Sequence, residues 1–169
     1  SGTGGSGVAL IAHETRPSGT NGGVAVAGAN ARDLNTIEHN AISATPLPNG
    51  NIEVPAGEYF AHFRTAAGWG GNSSRLIDVT NGGAVLCSGD TGAFAYGGYI
   101  QVSQGSCLLS LSSNTEIELQ TYAAAGSYGS AWGLGYANGT PGQPEKYATL
   151  VLTQGGSGGG SSLTTPPTC

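Results

Sequence analysis

Charged side chains are scarce in this chain: only 9% of its 169 residues are Asp, Glu, Lys or Arg, and the formal net charge is −5. The five Lys and Arg residues are scattered, so they do not form the basic patch that phosphate recognition needs. Nucleic acid is therefore not an expected partner. No apolar run reaches the roughly 18 residues of a spanning helix, so membrane insertion is not expected either.

Recognised catalytic and metal-binding motifs are also lacking. The three histidines are far apart in sequence, and no HExxH or CxxC pair supplies the spacing of metal ligands. Glu116 and Glu118 alternate with apolar residues, which is typical of a solvated or subunit-lining strand face, whereas a glycosidase needs a cleft between two carboxylates. The sequence predicts no enzyme, no metal site and no cofactor.

Cysteine is limited to three residues, Cys87, Cys107 and Cys169. An odd number in an extracellular protein suggests one intramolecular bridge with one cysteine left over, or a bond between chains. Cys87 and Cys107 are the default disulfide pair because both lie in the body of the predicted fold. The predicted topology places them on opposite sheets, however, and Cys107 could instead be a small buried apolar residue.

Glycine is abundant, with 31 residues, and short apolar or alternating segments recur between Gly-rich and Asn-rich turns. No segment shows a convincing helical period. Short strands with a turn every ten or so residues predict an all-β, two-sheet antiparallel sandwich or jelly roll. The predicted strands cover residues 8–12, 22–28, 74–79, 84–88, 99–103, 107–112, 115–122 and 146–154.

The segment 51–64, NIEVPAGEYFAHFR, is central to the prediction. Two alternating runs flank a Pro-Ala-Gly break, which predicts two half-buried strands joined by a tight turn at Pro55 and Gly57. Tyr59 and Phe63 define one apolar face of the second strand, yet Phe60 on the opposite face is also apolar. This strand is therefore expected to lie between a core and a second surface.

The last strand, 146–154, repeats this feature because neither of its faces is polar. A patch of large apolar residues rarely faces water, so we expect another copy of the chain to cover it. The alternative is that the long segment 13–50 covers the patch instead. The predicted trimer-interface residues are Phe60, His62, Leu150 and Leu152.

The order of several motifs carries a resemblance that spans about residues 8–154. RDLNTIEHN is followed by NIEVPAGEYFAHFRTAA, SSRLIDVTNG, TEIELQTY and EKYATLVLTQ. This order resembles the trimeric jelly-roll heads at the tips of phage and prophage tail fibres, within the complement-globular-head and tumour-necrosis-factor-like class. Glu145, Tyr147 and Ala148 match the start of the final strand in that family. The cysteines, the C-terminal tail and the Gly/aromatic-rich connections depart from it.

The resemblance implies a homotrimer of sandwiches with about ten strands, in which the first and last strands meet at a base and a binding apex lies opposite. Residues 1–7 are expected to be a flexible lead-in from a fibre shaft, 8–154 the head, and 155–169 a Gly/Ser-rich tail. Each chain would have two identical chains as partners. The implied location is extracellular, on a virion tail fibre or a bacterial cell surface.

Strand alternation then places three connections at the apex, namely 66–73, 88–98 and 123–144. Aromatic side chains cluster there among Gly, Ser and Asn, a combination that suits sugar rings and protein epitopes. The alternative for each aromatic is a loop core or a subunit contact. The predicted ligand-binding residues are Trp69, Asn72, Tyr96, Tyr128, Trp132 and Tyr136.

Two functions are consistent with these patterns. The first is a fibre-tip adhesin that recognises a cell-surface glycan or protein through its apex loops. The second is a structural head that locks a fibre into a trimer and has no ligand of its own.

Overall fold

The computed structural model describes residues 7–68, 72–92, 100–123 and 133–154. These residues form eleven strands and no helix. The strands are β1 (Gly7–Arg16), β2 (Gly28–Ala31), β3 (Thr36–Asn40), β4 (Thr45–Pro46), β5 (Ile52–Val54), β6 (Gly57–Gly68), β7 (Asn72–Asp78), β8 (Ala84–Gly92), β9 (Ile100–Leu111), β10 (Thr115–Ala123) and β11 (Glu145–Gln154). The predicted all-β class is confirmed.

The strands form two antiparallel sheets packed face to face. The front sheet has the order β3-β1-β11-β6-β9, and the back sheet has the order β4-β5-β10-β7-β8, with β2 also paired to β10. Sequence neighbours often lie in different sheets, which is the connectivity of a jelly roll rather than a meander.

The core forms because alternate residues of each strand point between the sheets. Phe63 and Leu150 enter from the front sheet, while Leu76, Ile117 and Leu119 enter from the back sheet, and all five are fully buried. At about 25 cal/mol per Å² of apolar area, each such side chain contributes roughly 1.5–3 kcal/mol to stability.

The predicted hairpin across residues 51–64 is wrong. β5 pairs with β10 and β4 in the back sheet, whereas β6 pairs with β11 and β9 in the front sheet. The Pro-Ala-Gly break is therefore a crossover between sheets. Gly57, with φ of 157°, begins β6 against the ring of Tyr59, whose hydroxyl donates to the Pro55 carbonyl at 3.1 Å.

Two other strand predictions differ from the structure. Residues 22–27 are not a strand, because β2 begins at Gly28 and pairs with the end of β10. The predicted strands 99–103 and 107–112 are one continuous strand, β9, which pairs with β6 from Ile100 to Leu111. Gly105 lies in the middle of that ladder, opposite Phe63.

Leu150 and Leu152 are not interface residues, contrary to the prediction. Both are fully buried in the core of their own chain. Leu152 pairs with Ala61 and Leu150 with Phe63, so the two leucines of β11 point inward on the same side as these two residues of β6. The outward face of β11 instead presents Val151, which pairs with His62.

The β8–β9 side of the sandwich is closed by small residues and a crosslink. A disulfide joins Cys87 of β8 to Cys107 of β9, with 6.1 Å between their Cα atoms. It connects the two sheets, as the predicted topology required for this pair. Beside it, Gly89 and Gly105 approach so closely that a Cβ on Gly105 would lie 2.7 Å from the Cα of Gly89.

Both ends of the described fold lie at one end of the sandwich. Gly7 pairs with Gln154, and the β1–β11 ladder runs from there to Arg16 and Glu145 at the far end. We call the first end the base and the second the apex. The start of β1 and the end of β11 therefore lie at the same end of the sandwich.

Candidate functional site: the apex and the front face

Four connections meet at the apex. β6 ends there at Gly68, paired with Ile100, while β7, β8 and β10 meet there through Asn72, Gly92 and Ala123. The predicted connections after β6, β8 and β10 therefore start at the apex. The fourth connection, 17–27, runs from the end of β1 to Gly28, which pairs with Ala123.

Most predicted ligand-binding aromatics lie outside the described residues: Trp69, Tyr96, Tyr128 and Trp132. Tyr136 is described, and 59% of it is exposed at the apex. Asn72 is only 3% exposed, and neither polar atom of its side chain has a hydrogen-bond partner among the described residues. Because Asn72 shares the inward face of β7 with Leu76, its amide is not accessible to a surface ligand, contrary to the prediction.

The two described apex loops, 17–27 and 133–144, are joined by backbone hydrogen bonds. Gly22 N–H donates to the Gly135 carbonyl at 2.9 Å, and Leu134 N–H donates to the Gly23 carbonyl at 3.0 Å. The Asn21 side chain accepts from Ala137 N–H at 2.9 Å. This ladder makes the two loops one unit.

The carboxylate of Glu145 fastens this unit to the start of β11. Its Oε1 atom accepts from Gly139 N–H at 2.8 Å and from Gly19 N–H at 3.1 Å. These backbone hydrogen bonds, that of Gly139 first, lower the pKa of the Glu145 carboxyl below its usual value. One half-buried side chain thus holds a residue from each loop.

Tyr147 supports the loops from below. Its hydroxyl donates to the Thr20 carbonyl at 2.7 Å, and burial raises the pKa of Tyr147 to about 12. Gly135, with φ of 138°, rests on the Tyr147 ring, where no larger residue would fit. Tyr147 and Glu145, which carry part of the family resemblance, therefore both position apex loops.

A buried charge pair lies under the same loops. Arg32 Nε is 2.7 Å from Glu14 Oε2, and both side chains are almost fully buried. Arg32 Nη2 also donates to the Leu134 carbonyl at 3.0 Å. Arg16 reaches the other Glu14 oxygen at 3.4 Å from a partly exposed position. The pair links β1, the residue after β2, and the apex loop.

The outward face of the front sheet carries exposed apolar side chains near the base. Phe60 of β6 is 47% exposed, and Leu108, its partner on β9, is 81% exposed. They border a groove of about 360 Å³ that Thr153 and Gln154 of β11 also line. His62 lies on the same face and meets the Ser106 hydroxyl at 2.9 Å.

The segment 13–50 does not cover this face. Its strand β3 extends the front sheet beside β1, and its strands β2 and β4 pair in the back sheet. Leu34 of this segment packs in the core. The exposure of Phe60 and Leu108 therefore contradicts the alternative in which this segment shields them.

Towards the apex the same face becomes polar. His13 contacts Thr149 at 3.0 Å and Glu38 at 2.9 Å, and Lys146 Nζ reaches Glu38 at 3.2 Å. The hydrogen bond from Lys146, and then that from His13, lowers the pKa of Glu38 below its usual value. The front face thus has an apolar half near the base and an ionic half near the apex.

The two acidic residues of β10 have separate environments. The Glu116 carboxylate accepts from the amides of Asn51 at 2.6 Å and Asn49 at 2.8 Å, and these bonds lower its pKa. Glu118 accepts from Gln120 instead. Neither lines the groove beside Phe60 and Leu108. Across the described residues, no group of three His, Cys, Asp or Glu could hold a metal ion, and no helix could span a bilayer.

Loop 17–27 and the role of Glu145 in holding it were not predicted from the sequence. A signal for the first was present, since residues 20–23 (TNGG) are a turn sequence shortly after a strand. No local signal indicated that Glu145 joins the two loops, because its donor in the first loop, Gly19, is 126 residues away.

A scan against protein-family models matched none, and a comparison with curated proteins found no match. Two solved structures are similar in fold. "Structure of Eiger TNF from S. frugiperda" is 13% identical, covers 94% of this chain and 98% of its own, and gives a TM-score of 0.51. "Globular Domain of Zebrafish Complement 1qA protein" is 16% identical, covers 86% of this chain and 92% of its own, and gives a TM-score of 0.47.

This chain therefore shares the jelly-roll fold of the tumour-necrosis-factor structure, which is the fold that the resemblance implied. Similarity at this level of identity concerns the fold and leaves ligand and partners to be argued from the site.

Proposed function

We propose that this jelly-roll domain is the trimeric tip of an extracellular fibre, on a virion or a bacterial cell, and that its apex loops bind a cell-surface glycan or protein. The observation that carries this proposal is that the two ends of the sandwich differ. Gly7 and Gln154 are strand partners at the base, whereas four connections meet at the opposite end. A shaft attached at the base would hold the apex outward.

The partners in the proposed trimer are two further copies of this chain. The apolar half of the front face supports this, because Phe60 and Leu108 are exposed side by side, while monomers seldom expose such groups together. His62 lies beside them and would enter the contact. The proposal thus keeps Phe60 and His62 as interface residues and replaces the two leucines by Leu108 and Val151.

The apex is suited to binding in the part of it that is described. Tyr136 is exposed on a loop that backbone hydrogen bonds and Glu145 hold in place, so the ring needs little ordering when a ligand arrives. We include Trp69, Tyr96, Tyr128 and Trp132 in the proposed site on their sequence positions. The proposed role is binding without turnover.

The test uses whole cells and a glycan array with the purified trimer. Trp69→Ala, Trp132→Ala and Tyr136→Ala are compared with Val79→Ala, a control in the turn at the base. We expect the apex variants to lose cell binding and the control to retain it, all with unchanged mass. A trimer that binds no cell and no glycan would favour the structural head instead. Loss of polysaccharide mass that Glu116→Gln abolishes would contradict the proposed absence of catalysis.

A further inference from the structure

The outward face of the back sheet contains a polar depression of about 450 Å³ between β7 and β8. This volume is in the range of small-ligand sites, about 300–1,000 Å³. The depression forms where β8 bulges: Ser73 pairs with Thr91 and Arg75 with Ser88, so β8 has one extra residue in this interval. Its lining residues are Ser73, Ser74, Arg75, Val85, Ser88, Gly89, Thr91 and Tyr122.

Arg75 is held in a defined orientation at this depression. Its Nε donates to Gln120 Oε1 at 2.8 Å, and its guanidinium lies 5.4 Å from the centre of the Tyr122 ring. The Gln120 amide donates to Glu118, so the Gln120 oxygen is turned towards Arg75. An arginine fixed through Nε keeps its two terminal nitrogens for a ligand.

The charge of Arg75 has no acidic partner among the described residues. Arg16, Arg32 and Lys146 each lie within 4.0 Å of a carboxylate, whereas Arg75 has only the neutral Gln120 oxygen and the Tyr122 ring. None of the residues that line the depression is acidic. The Glu118 carboxylate is linked to Arg75 only through the Gln120 amide, so the guanidinium has no direct ion pair and can receive an anion.

The surroundings of Arg75 favour a carboxylate attached to a sugar. Hydroxyls of Ser73, Ser88 and Thr91 line the depression, and each can donate or accept a hydrogen bond. Val85, which is 52% exposed, and Tyr122, which is 45% exposed, offer apolar contact for C–H groups. A planar carboxylate matches the two terminal nitrogens of an arginine.

We propose that this depression binds an acidic sugar, with the carboxylate on Arg75 and the sugar hydroxyls on Ser73, Ser88 and Thr91. The inference deepens the proposed function, on which it rests for the glycan as ligand class. It places a second contact beside the apex, since Ser73 and Thr91 are next to the apical ends of β7 and β8. The front face, where the subunits would meet, is on the opposite side of the sandwich.

The test compares glucuronate with glucose, which differ in the C6 carboxylate, by titration into isotope-labelled trimer observed by NMR. Arg75→Gln is the test variant, and Arg64→Gln is its matched control. Arg64 also lacks a carboxylate within 4.0 Å in the described chain, and it is exposed on the front sheet, so both variants remove one positive charge. Thermal unfolding and mass show whether each variant is an intact trimer.

We expect glucuronate to shift the resonances of Thr91 and Tyr122 and to bind at least about tenfold more tightly than glucose, the gain from one charge-assisted bidentate contact. Arg75→Gln should lose this preference, Arg75→Lys should recover only part of it, and Arg64→Gln should retain it. Equal binding of glucose and glucuronate, or equal loss in Arg64→Gln, would overturn the inference. So would acetate binding as tightly as glucuronate, because the sugar would then contribute nothing.

Cell binding separates this inference from the proposed function. If the trimer binds cells and Arg75→Gln leaves both cell binding and glucuronate binding unchanged, the inference fails and the proposed function stands. If glucuronate binds at Arg75 but the trimer binds no cell or glycan, the site stands as an acidic-sugar site and the adhesin function fails.

Discussion

Among the described residues, Arg32 has the largest side chain that the fold encloses completely. Burial lowers the pKa of its guanidinium and raises the pKa of Glu14, because a low-dielectric interior disfavours both charged forms. The opposite charge of each partner offsets part of this effect. Nη1 of Arg32 has no hydrogen-bond partner in the described structure, which adds to the cost of enclosing the side chain. In return, the buried Arg32 guanidinium donates a hydrogen bond to the Leu134 carbonyl in the apex loop.

Replacing one member of the Arg32–Glu14 pair should destabilise the domain much more than replacing both. Arg32→Met leaves the Glu14 carboxyl buried without its partner, so we expect the free energy of unfolding to fall by about 3–5 kcal/mol. The double variant Glu14→Met/Arg32→Met removes both charges and should recover most of that loss. Urea unfolding of the three proteins measures the difference, and a double variant less stable than Arg32→Met would contradict this account.

At the scale of strands, the β8–β9 side depends on glycines at the closest approach of the sheets. A Cβ on Gly105 would overlap the Phe63 ring and lie 2.7 Å from the Gly89 Cα atom. Neither neighbour can move freely, because Phe63 is fully buried and Cys87 is crosslinked to Cys107 nearby. Strand glycine here sets the distance between sheets.

Gly105→Ala should therefore destabilise the domain by about 1–3 kcal/mol through overpacking. Gly7→Ala is the matched control, since a Cβ at Gly7 would meet nothing within 4 Å. Chemical unfolding with the disulfide intact measures both variants. Equal stability of the two variants would show that the sheets can separate at this point without cost.

The joined apex loops should respond to acid through Glu145. Hydrogen bonds in the folded state lower the pKa of this carboxyl, so its stabilising effect is present above the unfolded value of about 4.3. That effect is lost as the pH falls through the lower folded value. Amide exchange of Gly19 and Gly139 should therefore speed up in acid relative to neutral pH, after correction for intrinsic rates.

Glu145→Gln provides the control for this pH effect. The variant lacks the titrating carboxyl, so exchange at Gly19 and Gly139 should be faster than in the unchanged protein at neutral pH and should change little with acid. The same acid response in the variant would assign it to another group.

Alternation and short apolar runs were sufficient to predict most of the long strands, but β3 and β4 were not predicted, and the pairing of strands was not encoded locally. The local sequence of the Pro55–Gly57 break is compatible with both a hairpin and a crossover between sheets. The crossover forms because β5 pairs with β10 and β6 pairs with β11. Likewise, both faces of β11 are apolar, and only its register with β6 shows that Leu152 faces Ala61 in the core. The apex position followed from topology, whereas the bond that joins Glu145 to loop 17–27 depended on Gly19, 126 residues away in sequence.

At the scale of the whole molecule, the proposed trimer predicts different outcomes for two exposed residues. Leu108→Asp places a carboxylate on the front face, and its burial against another subunit without a partner would be unfavourable. Val85→Asp makes the same type of change on the back sheet, at a residue that is also more than half exposed.

We expect the unchanged domain and Val85→Asp to have three times the mass of one 16.7 kDa chain by light scattering. Leu108→Asp should shift the distribution to folded monomer, with its β-sheet circular dichroism retained. A monomeric unchanged domain at micromolar concentration, or trimeric Leu108→Asp, would contradict the proposed interface. Leu152→Asp should instead unfold the chain, because that side chain is in the core.

Because Gly7 is paired with Gln154, the order of the strands along the chain could be changed by circular permutation without changing the sandwich. A short linker between these neighbours would close the backbone into a ring, and the ring could be reopened in the exposed β7–β8 turn at Gly82. The permuted polypeptide would begin and end at the base as before. The apex would keep its connections intact, so the domain could be inserted into a surface loop of an unrelated carrier with its apex pointing away from that carrier.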